Sequence, residues 1–140
     1  MSAFTAAVLA RPEAISGLTE RLLHFLAEQQ ADSRATHHVA LIVEELLTNI
    51  GTHGDCPDTP VRVSVTVASD QITGEIIDSG SPFDPREAPE PDVDSAAADR
   101  PVGGLGLFLV RRFTTALEYA RRNGENYTTF AVPRGADRQE

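Results

Sequence analysis

Residues Val61–Ala68 read V-R-V-S-V-T-V-A. Side chains of an extended chain alternate between faces, so valine at every second position puts the apolar groups on one side. The segment is a half-buried strand. Its valine face needs a second layer to cover it.

Candidates for that layer lie upstream. Val39, Ile42, Val43, Leu46, Leu47 and Ile50 recur at spacings of three and four, the stripe of a helix with one core face. Gly51 and Gly54 weaken its end, and Asp55-Cys56-Pro57 stops it. An earlier helix is expected over Glu13–Gln30, with Ile15, Leu18, Leu22, Leu23, Phe25 and Leu26 apolar; Asp32-Ser33 can cap the next one. Phe4–Leu9 reads as an edge strand, and Gln71–Asp78 closes a hairpin with the valine strand. A helix is expected over Leu107–Leu117, then strands over Glu118–Arg122 and Tyr127–Val132 around the turn Asn123-Gly124. The order β-α-α-β-β-loop-α-β-β implies an α+β two-layer sandwich: a mixed, mostly antiparallel sheet with helices on one face. Residues 1–134 form one domain, and 135–140 a polar tail.

Composition narrows the function. The chain has 140 residues, the size of a single domain. A net charge of −9 repels nucleic acid and anionic membranes. Cys56 is the single cysteine, so no intrachain disulfide forms. No long apolar run or signal segment is present, which reads as cytoplasmic. His24, His37 and His38 have no partners at metal-ligand spacing, and Arg111-Arg112 and Arg121-Arg122 read as solvated pairs.

Three constellations can carry chemistry. Leu41, Glu45, Asn49 and His53 fall on one line of the second helix. A carboxylate and an amide oxygen there can hold a water and a hard cation, although a solvated helix face would look the same. Asp78-Ser79-Gly80-Ser81-Pro82-Phe83-Asp84 leaves a strand end. Its aspartate can accept from an exocyclic amine, and Gly80 lets backbone approach a flat ring, although these residues also simply make turns. Gly103-Gly104-Leu105-Gly106-Leu107 opens a helix, where free N–H groups and the dipole favour phosphate. It lacks the Gly-Lys-Ser/Thr ending of a P-loop. Between the last two lies a stretch rich in proline, Asp84, Glu87, Glu90, Asp92, Asp94 and Asp99, too poor in apolar groups to pack.

Taken together, these motifs resemble the Bergerat-fold (GHKL) ATP-binding domains of gyrase, histidine kinases and MutL, from Phe4 to Val132. Glu45-Leu-Leu-Thr-Asn49 looks like the N box, Asp78-Ser-Gly80 the first glycine box, and Gly103-Gly-Leu-Gly106 the second. The trailing His53-Gly54 and the form Asp78-Ser-Gly-Ser-Pro-Phe83-Asp84-Pro85 are similar to the RsbW and SpoIIAB type of anti-sigma-factor serine kinases. The resemblance implies ATP/ADP and Mg²⁺ as cofactors. Glu45 would be the catalytic base and Asn49 the Mg²⁺ ligand. Asp78 would take the adenine amine, with Gly80 against the ring. His53, Phe83, Gly103, Gly104, Leu105, Gly106 and Leu107 would complete the nucleotide site, and Thr128 would support Asp78. Tyr127 stands where the family usually has glycine. Residues 84–103 would be the ATP lid, and Arg21 the candidate partner contact. The implied activity is phosphorylation of a serine or threonine on a small STAS-domain antagonist (an anti-anti-sigma protein). The chain would alternately sequester a sigma factor or other target, and such proteins often form homodimers. The alternative is a nucleotide-dependent sequestering module without significant kinase activity.

Overall fold

The computed structural model describes residues 2–87 and 104–135. Strand β1 (Ser2–Val8) precedes helices α1 (Pro12–Glu28) and α2 (Ser33–His53); the hairpin β2 (Val61–Val67) and β3 (Gln71–Asp78) follows. A short 3-10 turn at Pro85–Glu87, helix α3 (Gly104–Phe113) and the hairpin β4 (Ala116–Arg122) and β5 (Glu125–Pro133) complete the described chain. The sheet runs β1-β2-β3-β5-β4. The expected lid, residues 84–103, falls outside the described residues from 88 onward, as do Gly103 and the tail from 136.

Local chemistry sets the ends. Pro12 starts α1, where its missing N–H costs nothing. Asp32 caps α2, its Oδ2 accepting from the N–H groups of Arg34 (3.1 Å) and Ala35 (3.3 Å). Asn123 and Gly124 both have positive φ (53° and 79°), the requirement of a two-residue turn matched to the sheet twist.

The valine alternation does what it implies. Val61, Val63, Val65 and Val67 are all buried, in one core with Leu18, Leu22 and Leu26 of α1 and Val39, Ile42, Val43 and Leu47 of α2. Phe130 and Val132 extend the same face on β5. The helices therefore cover one side of the sheet, with β1 at an edge as expected.

Two expectations change. Every strand pairing among the described residues is antiparallel, so the sheet is not mixed. The third helix runs Gly104–Phe113 instead of Leu107–Leu117. Glycines are tolerated in its first turn, whose N–H groups have no intrahelical partner anyway. At the other end Thr115 donates its N–H to the Ala131 carbonyl (2.8 Å) and so begins the sheet. Leu117, whose spacing prolongs the helical stripe, lies opposite Phe130 on the inner face of β4 and packs against the core.

At the far end of α2, His38 stacks on Phe113 with centroids 3.8 Å apart and planes within 5°. Burial, then the charges of Arg34 and His37, hold its imidazole below the ordinary 6.5, against the opposing pull of Asp32. The unfolded chain therefore takes up this proton first. The stability contribution is complete above 6.5 and is lost as the pH falls through the lower folded value. His38→Phe keeps the stack and removes this part of the acid decline. Denaturation midpoints on either side of that pH check it; an unchanged pH slope in the variant would remove His38 as the cause.

Candidate functional site

One pocket opens between the C-terminal half of α2 and the ends of β3 and β5. Leu46, Asn49, Ile50 and His53 line it from α2; Ile76, Asp78 and Thr128 line it from the sheet. Ser81, Phe83 and Pro85 close it from the segment after β3, and Asn126 lies beside Asp78. The floor is apolar and its few polar groups converge, the usual form of a small-molecule site.

Helical spacing brings Asn49 and His53 to this pocket, with Glu45 one turn further toward the N-terminus. Asn49 is buried and donates Nδ2 to the Glu45 carbonyl (2.8 Å). A carbonyl can only accept, so the amide is fixed with Oδ1 as the atom available to a ligand. Glu45 is half-buried. Burial, followed by the neighbouring Glu44 charge, raises its carboxyl above the ordinary 4.5.

Glu45 also meets the glycine segment. A Cβ placed on Gly106 would overlap Glu45 Oε1, so the first described turn of α3 lies directly against this carboxylate, which would have to swing aside for a larger residue. Gly104 is the first residue of α3, and Leu107 is buried in the core, which anchors that turn. The start of α3, whose first N–H groups have no intrahelical partner, thus meets Glu45.

Asp78 is buried at the end of β3. Its Oδ2 accepts from the Gly80 N–H (3.0 Å) and from Asn126 Nδ2 (3.1 Å). Oδ1 has no partner among the described residues and is the oxygen left for the pocket. Gly80 is not among the pocket-lining residues. A Cβ there would strike the Gly54 carbonyl, so glycine lets the turn seat on the end of α2, where Ser81 N–H bonds the same carbonyl (2.9 Å). Phe83 is exposed at the rim and stacks on His53, centroids 6.0 Å apart.

Thr128 is buried on β5 opposite Ile76, one inward position from Asp78, and lines the pocket. The segment that opens the expected lid is held at its start. Arg86 bonds the Asp84 carboxylate (2.8 Å) and reaches Glu118 on β4 (3.5 Å), while Arg111 of α3 donates to the Arg86 carbonyl (3.2 Å). The Arg86 hydrogen bond holds the Asp84 carboxyl below its ordinary value despite opposing burial. Arg21 is exposed on α1.

Asn126 escaped the sequence reading. It is 3% exposed and faces Asp78 directly across β3 and β5. Its signal was parity: an asparagine on the same inward alternation as Thr128, Phe130 and Val132, where an amide needs partners. Among the described residues no group of histidine, cysteine, aspartate and glutamate forms a metal cage, and no helix is long and apolar enough to cross a membrane.

Residues 8–132 match a family described as histidine kinase-like ATPase domain. The chain is 32% identical over 110 residues to the serine/threonine-protein kinase BtrW of Bordetella bronchiseptica, covering 77% of this chain and 78% of that protein. Its fold resembles the RsbU and RsbW domains of Rv1364c from Mycobacterium tuberculosis, with TM-score 0.69 and 17% identity over 97% of this chain. This chain spans only 34% of that one. It also resembles a structure of the SiaB-SiaC complex from Pseudomonas aeruginosa, with TM-score 0.57 and 11% identity over 93% of this chain and 89% of the other.

Proposed function

This chain belongs to the histidine kinase-like ATPase domain family, and we propose that it is a cytoplasmic, ATP- and Mg²⁺-dependent serine/threonine-protein kinase of the partner-switching kind. Its substrate is a small STAS-domain antagonist protein, and its sequestered target is a sigma factor or comparable regulator. The observation that carries this reading is the meeting of Glu45 with Gly106 beside a pocket that holds Asn49 and Asp78. The identity to a protein named as a serine/threonine kinase supports the choice of reaction.

The adenine amine is read by Asp78 Oδ1, against the apolar wall of Leu46, Ile50 and Ile76. The phosphates run toward the N-terminus of α3, whose free N–H groups and dipole favour anions. Asn49 Oδ1 suits a hard cation such as Mg²⁺, which keeps waters and phosphate oxygens as most of its ligands. When bound, Mg²⁺ offsets charge on the phosphates. Glu45 accepts the proton as the serine or threonine oxygen bonds to the γ-phosphorus. The bond from that phosphorus to the β–γ bridging oxygen breaks, and ADP leaves. A carboxyl raised by burial is the better base for this, because it holds the proton more strongly.

Asn49→Ala removes the amide oxygen. It should weaken binding of Mg·ATP by about tenfold while leaving metal-free ATP nearly unaffected; titration with and without Mg²⁺ measures the difference. Equal loss in both would remove Asn49 as the metal ligand. The proposed activity itself is tested with γ-labelled ATP and a STAS-domain antagonist. Label on a serine or threonine of that protein is expected. Nucleotide-dependent binding with no transfer would leave a sequestering module instead.

A further inference from the structure

Three side chains line up across three strands on the inner face of the sheet. Arg121 on β4 lies opposite Asn126 on β5, and Asn126 lies opposite Asp78 on β3. Tyr119, two residues before Arg121, points to the same face. Asn126 is buried, and both ends of its amide are engaged.

The partners assign the amide without ambiguity. Its oxygen accepts from the Tyr119 hydroxyl and from Arg121 Nη1 (3.1 Å). Arg121 has no acceptor, so this end must be oxygen. The nitrogen donates to Asp78 Oδ2 (3.1 Å) and to the Ser81 carbonyl (2.9 Å). Turning the amide over would set its oxygen against a carboxylate and a carbonyl, and its NH₂ against a guanidinium. Arg121 also bonds the Gly80 carbonyl (2.6 Å), so the same cation steadies the turn whose N–H reaches Asp78.

This arrangement matters because a carboxylate is symmetric and can rotate about its last bond. With Gly80 N–H and Asn126 Nδ2 both on Oδ2, one rotation is selected, and Oδ1 is presented to the pocket at a fixed angle. We propose that Asn126, locked by Tyr119 and Arg121 from the edge strand, is the positioning residue that aims Asp78 and thereby sets the preference for a 6-amino purine. The inference rests on the adenine-nucleotide reading of this pocket. Tyr119 and Arg121 are not among the residues lining the pocket, so they act through Asn126.

A base-edge readout separates aiming from mere structure. Three triphosphates are titrated: ATP, inosine triphosphate, which carries a 6-oxo group, and purine riboside triphosphate, which has no group at position 6. The wild-type chain should bind ATP best. Asn126→Ala should lose about tenfold of the ATP-over-inosine preference, with purine riboside triphosphate bound as before. Tyr119→Phe deletes one hydroxyl and should lose about threefold in the same ratio; it keeps the question open to test if Asn126→Ala folds poorly. Full retention of the ratio in both variants overturns the inference. So does an equal loss for all three nucleotides, which would mean a structural role alone. Failure of the wild-type chain to bind any nucleotide overturns the reading of the pocket, and this inference with it.

Discussion

Glu45→Ala should bind Mg·ATP about as well as the wild-type chain and transfer phosphate to its protein substrate about 10²–10⁴-fold more slowly. A base that takes a proton only as the new bond forms contributes to the transition state and little to the ground state, so kcat falls and KM is kept. The substitution also leaves the nucleotide-binding groups alone. Asn49 bonds the backbone carbonyl of residue 45, which alanine retains, and the close approach of Gly106 is relieved, not strained. Single-turnover transfer alongside nucleotide titration separates the two effects. Wild-type transfer rates in Glu45→Ala would remove it as the base.

The second large effect is expected at Asp78, in Asp78→Asn. The replacement is isosteric but asymmetric: one end accepts and the other donates. Gly80 N–H and Asn126 Nδ2 both point at the inner end, so the new amide must place its oxygen there. Its NH₂ then faces the pocket, where the wild-type carboxylate accepts. An adenine amine would meet another donor, and a 6-oxo purine would meet a partner. ATP affinity should drop by about a hundredfold, and GTP or inosine triphosphate should become the preferred ligand. Calorimetric titration of the three nucleotides decides it. A variant that still prefers ATP would show that the base is read elsewhere.

What could be read from the sequence divides along physical lines. The valine strand and the stripe of α2 were legible because each is a local period imposed by one large buried face, and the core buries those same residues. Glu45, Asn49 and His53 were legible as a line because helical spacing is fixed. The end of α3 was not, since Leu117 satisfies a helical spacing and a strand alternation equally well, and only its pairing with Phe130 chooses between them. Asn126 was invisible for a similar reason. Its partners Asp78, Tyr119 and Arg121 depend on which strands become neighbours, and β3 and β5 are joined by a long connection whose length says nothing about register. Gly80 shows a further limit: its close approach to the backbone of Gly54 depends on how the turn after β3 seats on α2, which no local pattern gives. The glycines before Leu107 were legible as a helix start, but the contact of Gly106 with the Glu45 carboxylate appears only when α2 and α3 are packed.

We propose that the pocket between α2 and the ends of β3 and β5 holds the adenine nucleotide. An amide NMR titration with a non-hydrolysable ATP analogue and Mg²⁺ tests it directly. Shifts should concentrate at Asn49, Gly54, Asp78, Gly80, Ser81, Asn126 and Thr128, with Gly106 responding at the phosphate end. The outer face of the sheet, marked by Ser64, Thr73 and Thr129, should stay still. Saturable binding whose shifts fall on that outer face or around His38, and spare Asp78 and Asn126, would contradict the account.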